Sequence, residues 1–511
     1  MVVILRWITI LLLCFVCSIF SAANAALTRH LKDLGKLPIL ADGREKPLLV
    51  HAKARLRTMT GQRDRHALEH YVHLSQGEDP GLTYSIHHQT LLNRLNLSKA
   101  AVPLAVLLPL RESAQLRYLE LEAHKQQKGS EGRAWLGLLE ALGTYEQVKN
   151  GADWLLPVRI NAQLVWSPLA ALLEAGQFSD TQDLIKFAQA QYQPSWRIPL
   201  EYIYESSGLR MITFLTSLLA LGLFFLRLFF KTAALRPLSW LAFALVLGMQ
   251  IAEIATRVLI SGRGPVTNMF ETVLWVGLGM LLFGLVLSVL KQNLLYILAA
   301  LSGFTLTSMM NNFARSMVNP DIHPLVPVLR DNFWLSTHVT TVTISYAAFA
   351  LSWLVANGAI LTYLIKKDDS FFGEAAKMAY EANKIGLVLI LAGTILGGVW
   401  ADYSWGRFWG WDPKETWALI VAVTYAIFLH GRHMGYLKNA GFIACQAGGF
   451  LTVMFAWFGV NYILASGLHS YGFSQNGSLF LLGFFAVQIG ILGLYALRLR
   501  QPKFIPEKDM V

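Results

Sequence analysis

Residues 385–430 read IGLVLILAGTILGGVWADYSWGRFWGWDPKETWALIVAVTYAIFLH. Two apolar runs, Ile385–Trp400 and Glu415–His430, flank the stretch Trp405–Trp417, which holds four tryptophans, two glycines and an Asp-Pro pair. The flanks are near the length that crosses a bilayer, so the aromatic stretch is the turn joining two spans at one membrane face. Asp412-Pro413-Lys414-Glu415 reads as a helix start, with Asp as N-cap, Pro at the first helical position and Glu at the third. An interfacial aromatic belt is the ordinary account of Trp at this depth. A belt, however, needs no fixed spacing, no interleaved Gly and no cap. The density here favours a shaped aromatic platform.

Outward from this turn the same pattern repeats. Of the 511 residues, 54% are hydrophobic and 15% charged, a balance that belongs to an integral membrane protein. About nine segments are long enough, or nearly so, to span: Leu209–Phe230, Pro237–Leu259, Asn268–Leu290, Leu294–Met310, Ser336–Ile365, Ile385–Trp400, Glu415–His430, Ala440–Leu464 and Leu479–Leu497. The expected fold is an all-α polytopic membrane protein of about nine transmembrane helices, preceded by an exported, mostly helical domain. Residues 1–25 fit a signal peptide or N-terminal anchor, with Arg6 ahead of an apolar run and Ala23-Asn24-Ala25 as a small-x-small cleavage site. Residues 26–206 form the exported domain, where Asp42-Gly43 signals a turn and Pro47 blocks immediate helix continuation. Residues 207–511 form the multi-span domain.

With the first domain outside, the inner loops are KTAALR, KQN, KKDDSFFGEAAKMAYEANK, GRHMGYLK and the tail RLRQPKFIPEK. Their Lys and Arg content follows the positive-inside rule, and the C-terminus falls inside. That rule also accounts for much of the net charge of +11. With no basic repeat and no nucleic-acid motif, no nucleic-acid partner is expected. Cys14, Cys17 and Cys445 all lie in apolar runs, which argues against a disulfide framework or a thiol metal site. No C-x-x-C-H is present, so the chain cannot attach a haem to itself in the c-type way.

Five of the thirteen histidines lie in the multi-span part, and their depths separate them. His323 belongs to a proline-flanked outer loop and is read as solvated; His433 follows Arg432 in an inner loop. His338 starts one span at the outer face, and His469 follows the outer end of another. Both therefore fall at the depth of the Trp turn. Each alone is read as hydrogen-bonded to a neighbouring loop. Two imidazoles beside an aromatic platform are better placed to give axial nitrogens to a porphyrin iron, with the tryptophans covering the macrocycle. His430 ends the span that begins at Glu415, about fifteen residues and roughly 22 Å from the outer face at about 1.5 Å per residue. It is either an interfacial His or the mark of a second, inner site. Glu253 and Arg257, four apart, read as a structural ion pair, and Glu271 as an N-terminal helix charge.

These residues together resemble the CcsA/ResC family of system II cytochrome c biogenesis proteins, over about Pro265–Phe484 and more faintly at DGREKPL (42–48). The family's WGxxWxWD segment, which faces the outside, is matched by Trp405, Gly406, Trp409, Trp411 and Asp412. Its two outer axial histidines correspond by context to His338 and His469, and its transmembrane histidine to His430. The resemblance implies a b-type haem held non-covalently in transit, passed from an inner to an outer site. There it is presented to the reduced Cys-x-x-Cys-His of apocytochrome c for thioether attachment. It implies a CcsB/ResB-like membrane partner, since a second mid-membrane His is missing from this chain. The chain would then be the haem-delivering subunit of a cytochrome c synthase (haem lyase) complex, assigning no catalytic residue of its own. The resemblance further implies a bacterial cytoplasmic (inner) membrane with a periplasmic N-terminal domain. Competing readings are a haem exporter without attachment activity, a system I-like haem-handling subunit, and a haem-bearing quinol oxidoreductase. The last needs two well-matched inner histidines.

Overall fold

The computed structural model describes residues 29–500 apart from 63, 65, 87, 125–128, 162, 175–180, 231, 315–316, 326–330 and 465–476. The segment 1–25, the candidate ligand His469 and the tail after Arg500 lie outside the described residues. The chain divides into two compact units. The first comprises Met1–Leu209 with Leu259–Ser261 and Asp321–Pro324, and the second comprises Arg210–Val258, Gly262–Pro320 and Leu325–Val511.

In the first unit, Asp42 and Gly43 adopt φ of 51° and 73° and join strands β1 (Pro38–Ala41) and β2 (Arg44–Pro47), with Ala41 opposite Arg44. Positive φ at both central residues gives the hairpin turn whose twist suits paired strands, and Asp-Gly tolerates it. Pro47 then caps helix α1 (Leu48–Thr60) from an extended conformation. With α2 (Ala67–Ser75) and α3 (Ser130–Lys149), α1 contributes to a core that includes Leu48, Leu56, Tyr71 and Leu142. Two further antiparallel pairs, Thr83–Ser85 with Ala101–Pro103 and Leu155–Ile160 with Gln163–Pro168, complete the sheet content of the described residues. Asp321, in this unit by contact, pairs with Arg57 at 2.7 Å.

A buried polar cluster lies within the same unit. The Asp153 carboxylate accepts from Tyr71 Oη at 2.8 Å, bonds His51 Nε2 at 2.6 Å and pairs with Arg55 at 2.9 Å. Burial would raise the Asp153 pKa, but the His51 hydrogen bond and the His51 and Arg55 charges outweigh it and bring it down to about 2. Burial pushes the His51 pKa below 6.5 against the pull of Asp153.

The second unit is built of long helices: α4 (Leu209–Phe229), α5 (Leu235–Ser261), α6 (Met269–Lys291), α7 (Leu295–Phe313), α8 (Leu335–Lys366), α9 (Phe372–Trp405), α10 (Pro413–His433), α11 (Asn439–Leu464) and α12 (Gly477–Arg500). Seven of them, all but α7 and α10, are long and apolar enough to cross a membrane, against the nine spans expected. The other two are helices of 19 and 21 residues that carry more polar side chains: α7 ends in Thr305, Thr307, Ser308, Asn311 and Asn312, and α10 begins at Lys414-Glu415 and ends at His430, Arg432 and His433. Helix α9 also starts well before the expected Ile385. The segment read as an inner loop is rich in helix-forming Ala, Glu, Lys and Met, and it buries Ala375, Ala379 and Ala382.

Arg257 reaches across to the next helix. It bonds Glu271 at 2.8 Å, with both side chains at most 2% exposed, and donates to the Pro320 carbonyl at 2.9 Å. Glu271 is also the helix-start charge expected of it. Its carboxylate accepts from Thr267 N at 2.9 Å and Thr267 Oγ1 at 2.6 Å, while Asn268 caps Glu271 N. A buried ion pair with these additional bonds offsets the desolvation that isolated charges would suffer.

Candidate functional site

The site begins with glycines. A Cβ added at Gly386 would lie 2.5 Å from Phe349, one at Gly393 2.6 Å from Val342, and one at Gly397 2.5 Å from His338. The spacings of seven and four place the three glycines on one stripe of α9, facing the same spacings read backwards along α8. Two antiparallel helices therefore pack at close range along a small-residue seam. His338 lies against this wall and its Nδ1 donates to the Gly393 carbonyl at 2.8 Å. A carbonyl can only accept, so Nδ1 carries the proton and the lone pair of the neutral ring is on Nε2.

Two π-helical segments border the same region. Leu335–Val339 opens α8 and carries His338; Phe455–Leu464 closes α11 and carries Trp457 and Asn461. Wider turns of this kind re-aim side chains relative to the 3.6-residue period and recur at functional sites. Trp457 donates from Nε1 to Thr272 Oγ1 at 3.1 Å, and Asn461 donates to the Trp457 carbonyl at 2.6 Å.

The aromatic turn is clamped by two carboxylates. Gly406, at φ 68°, ends α9 in the left-handed conformation. Asp412 accepts from Lys414 N at 2.8 Å and Glu415 N at 3.0 Å. Glu415 reaches back to Asp412 N at 3.3 Å and Gly410 N at 2.7 Å, and pairs with Arg407 at 3.2 Å. This is a reciprocal capping box. Trp411 takes φ 56°, a conformation a bulky residue adopts only when its surroundings impose it. Its ring meets Trp409 edge to face at 5.7 Å, and Arg407 lies over Trp405 at 5.7 Å.

Between these parts lies a cleft of about 1180 Å³ including its open mouth. His338, Trp400, Trp409, Lys414, Trp457 and Asn461 line it, with Gly397 and Gly398 in its floor. His338 and Trp400 approach edge to face at 5.9 Å. The indole nitrogens of Trp400 and Trp409 are buried with no hydrogen-bond acceptor among the described residues.

Of the residues singled out from sequence, His338 and Trp409 line the cleft; Gly406 and Asp412 shape the turn from outside it. Trp405 and Trp411 do not figure among its described lining residues, and Trp411 is 70% exposed. The platform is thus narrower than the motif, because alternate tryptophans of a turn cannot all face one way. His430 is exposed in the last turn of α10, the end opposite Asp412, and does not line the cleft. Sequence reasoning missed Trp400, Trp457, Asn461 and Lys414. The Gly397-Gly398 pair beside Trp400, inside a span, was the available signal for the first.

The donor set and the shape suit a flat aromatic ligand with a coordinating centre. One imidazole nitrogen bears a lone pair by construction, indoles wall the cleft, and glycines keep the floor low.

Residues 266–469 match the family described as cytochrome C assembly protein. The chain is 35% identical over 251 residues to Protein NrfI of Wolinella succinogenes, covering 46% of this chain and 26% of that protein. It is 33% identical over 225 residues to cytochrome c biogenesis protein CcsA of Chlamydomonas reinhardtii, covering 42% of this chain and 62% of that protein. The counterpart in Guillardia theta is 32% identical over 298 residues, 51% of this chain and 94% of that protein. The chain thus spans about a quarter and under two thirds of the first two relatives, and nearly all of the third.

Proposed function

Since the chain belongs to the CcsA family of cytochrome c biogenesis proteins, we propose that its cleft receives haem as cargo and presents it for covalent attachment to apocytochrome c. The observation that carries this reading is His338. Its Nδ1 is tied to the Gly393 carbonyl in a cleft walled by Trp400 and Trp409, which leaves Nε2 as the nitrogen that can coordinate iron. His469 is the proposed second axial ligand, and His430 marks an earlier stop on the cargo's path. The bound form is b-type, held without covalent bonds.

The chain's own residues position and shield. The indoles and the glycine floor exclude water from one face of the disc, and the capped turn holds Trp409 in place. The reacting groups belong to cargo and client: each Cys thiol adds across a vinyl double bond, forming a C–S bond while its hydrogen goes to the neighbouring carbon. Positioning of this kind lowers the barrier without a catalytic side chain. A CcsB-like membrane partner completes the inner site in this scheme. The N-terminal unit faces the periplasm and the C-terminus the cytoplasm of a bacterial inner membrane.

The test is spectroscopic. Purified protein should carry a low-spin haem spectrum that H338G and H469G each perturb and added imidazole restores. An unchanged spectrum in both variants removes the ligand assignment. Co-expression with a CcsB-like partner and an exported apocytochrome, in a host without its own maturation system, separates attachment from export. Haem staining after denaturing electrophoresis marks attachment, whereas free exported haem alone favours the exporter.

A further inference from the structure

The second unit holds a cavity larger than the cleft, about 2050 Å³ including its open mouth. Its lining covers 350–361 on α8, 480–491 on α12 and 299–314 on α7, with further walls from α6 and α11. At about 1.5 Å per residue these stretches rise roughly 16 Å on α8 and α12 and roughly 22 Å on α7. The hydrocarbon core of a bilayer is roughly 30 Å thick, so on the two membrane-competent helices the cavity is about as deep as one leaflet. Its mouth is apolar: Leu306, Met309 and Phe313 of α7, Leu361 of α8 and Val487 of α12 line it and are 44–64% exposed. Its floor is closed, with Met280, Met454 and Phe458 at most 5% exposed. Exposed large side chains on helices that cross a membrane meet acyl chains, and the cavity continues that lipid-facing surface inward.

The chemistry of the walls points to a hydrocarbon guest. No Asp, Glu, Lys, Arg or His occurs among the described lining residues, so the walls offer iron no ligand and a carboxylate no cation. The polar side chains that reach the cavity are bonded within the protein. Trp353 Nε1 donates to Gln488 Oε1 at 2.7 Å, Gln488 Nε2 to Asn357 Oδ1 at 3.2 Å, and Asn357 Nδ2 to the Trp353 carbonyl at 3.0 Å. Ser302 and Thr307 each donate to a carbonyl one turn back on α7. Four methionines in the lining are unbranched and adapt to a flexible guest. A partner's helix fits less well, because close helix–helix contacts in a bilayer favour small residues at the approach, whereas this mouth is built of large ones. The position has a consequence for the cleft, since Trp457 lines both spaces.

We propose that this cavity is a lipid site, in which an acyl chain of a bilayer phospholipid enters between α7 and α12 and packs against Met454 and the back of Trp457. The chain completes the packing behind the wall that Trp457 presents to the cleft. The site is separate from the cleft, and the inference does not rest on what the cleft binds.

The experiment uses full-length protein in phosphatidylcholine vesicles doped with a phosphatidylcholine that carries a diazirine within one acyl chain. After irradiation, adducts are mapped by peptide mass spectrometry. Wild type should carry adducts at the floor, on Met280 and Met454, as well as at the mouth, on Val487. Gly358 lines the cavity, and a Cβ added there meets nothing within 4 Å. G358F therefore puts a ring into the cavity without displacing a neighbour. It should remove the floor adducts and keep the one at Val487, which reports that the helix still faces lipid. Labelling of wild type at the mouth alone, or floor adducts that persist in G358F at the wild-type level, overturns the proposal. A floor that escapes the lipid probe but cross-links to a co-purified membrane polypeptide assigns the cavity to a partner's helix and overturns it as well. Should G358F misfold, the wild-type pattern of floor against mouth decides by itself.

Discussion

Gly397 offers the sharpest test of how His338 is held. A Cβ there would stand 2.5 Å from His338 Cε1 and 2.9 Å from Nδ1. An ordinary carbon–carbon contact is about 3.5 Å, so G397A must displace the ring by about 1 Å. The 2.8 Å bond from Nδ1 to the Gly393 carbonyl does not survive such a shift. Overpacking costs about 1–2 kcal/mol and the lost bond about 1 kcal/mol, while Ala in place of a helical Gly returns about 1 kcal/mol. The net is a destabilisation of about 1–2 kcal/mol. In an H338A background the ring and its bond are gone, so only the gain of about 1 kcal/mol remains. The two backgrounds should differ by about 2–3 kcal/mol, a coupling of the size seen between residues in contact. At about 2–4 °C per kcal/mol, thermal unfolding in detergent should separate the two effects of G397A by roughly 4–12 °C. In the His338 background, G397A should also lose the low-spin haem spectrum. If G397A shifts the melting temperature equally in both backgrounds, the ring does not sit against this glycine and the account of its orientation fails.

Other perturbations follow from the same contacts. R257M leaves Glu271 buried and unpaired and should cost about 3–5 kcal/mol, whereas R257M/E271M should recover much of that loss; chemical unfolding of the three variants checks this. D412A removes the α10 cap at a cost of about 1 kcal/mol, and should speed amide exchange at Gly410–Glu415 ahead of the rest of α10. In the first unit, acid should act in two steps. The folded His51 pKa is lowered from 6.5, so the unfolded chain takes up its proton first and stability falls as pH drops below about 6.5. Asp153, at about 2 folded against 3.8 unperturbed, stabilises above about pH 4 and loses that contribution between 4 and 2. Hydrogen exchange of unit-one peptides across pH 3–8 reads both steps, and H51Q should remove the upper one and weaken the lower, since His51 also helps hold the Asp153 pKa down.

Much of the fold could be read in advance because its signals are local. Apolar runs found the long helices, Asp42-Gly43 found its hairpin, and Asp412-Pro413-Lys414-Glu415 found the α10 start with its reciprocal cap. The misreadings are equally physical. Residues 372–384 look like a charged loop because their polar side chains hide a stripe of buried alanines. Sequence spacing sees i,i+4 neighbours such as Glu253 and Arg257 but not that Arg257 also pairs with Glu271 on the next helix. At the cleft, Trp409 was legible from the dense motif and His338 from its depth at the start of a span, while the roles of Trp400, Trp457 and Lys414 were not. Trp400 and Trp457 come from outside the motif and Lys414 from the helix start within it, and only tertiary packing brings them to one wall.

The register that assembles this wall depends on side chains that are missing. Sliding α8 past α9 by one turn would carry His338 about 5.4 Å along the seam, away from Gly393 and Trp400. What forbids the slide is that Phe349, Val342 and His338 each fit only opposite a glycine, at Gly386, Gly393 and Gly397. Shifted by one turn, these three side chains would lose glycine partners and press on side chains instead. Cap and clamp then fix the turn that brings in Trp409. The tryptophan-rich motif announces the site, but three absent Cβ atoms on α9 determine where its imidazole stands. It follows that a glycine-to-alanine change on α9, outside the motif, should disturb the position of the His338 ring more than replacement of the exposed Trp411 within it.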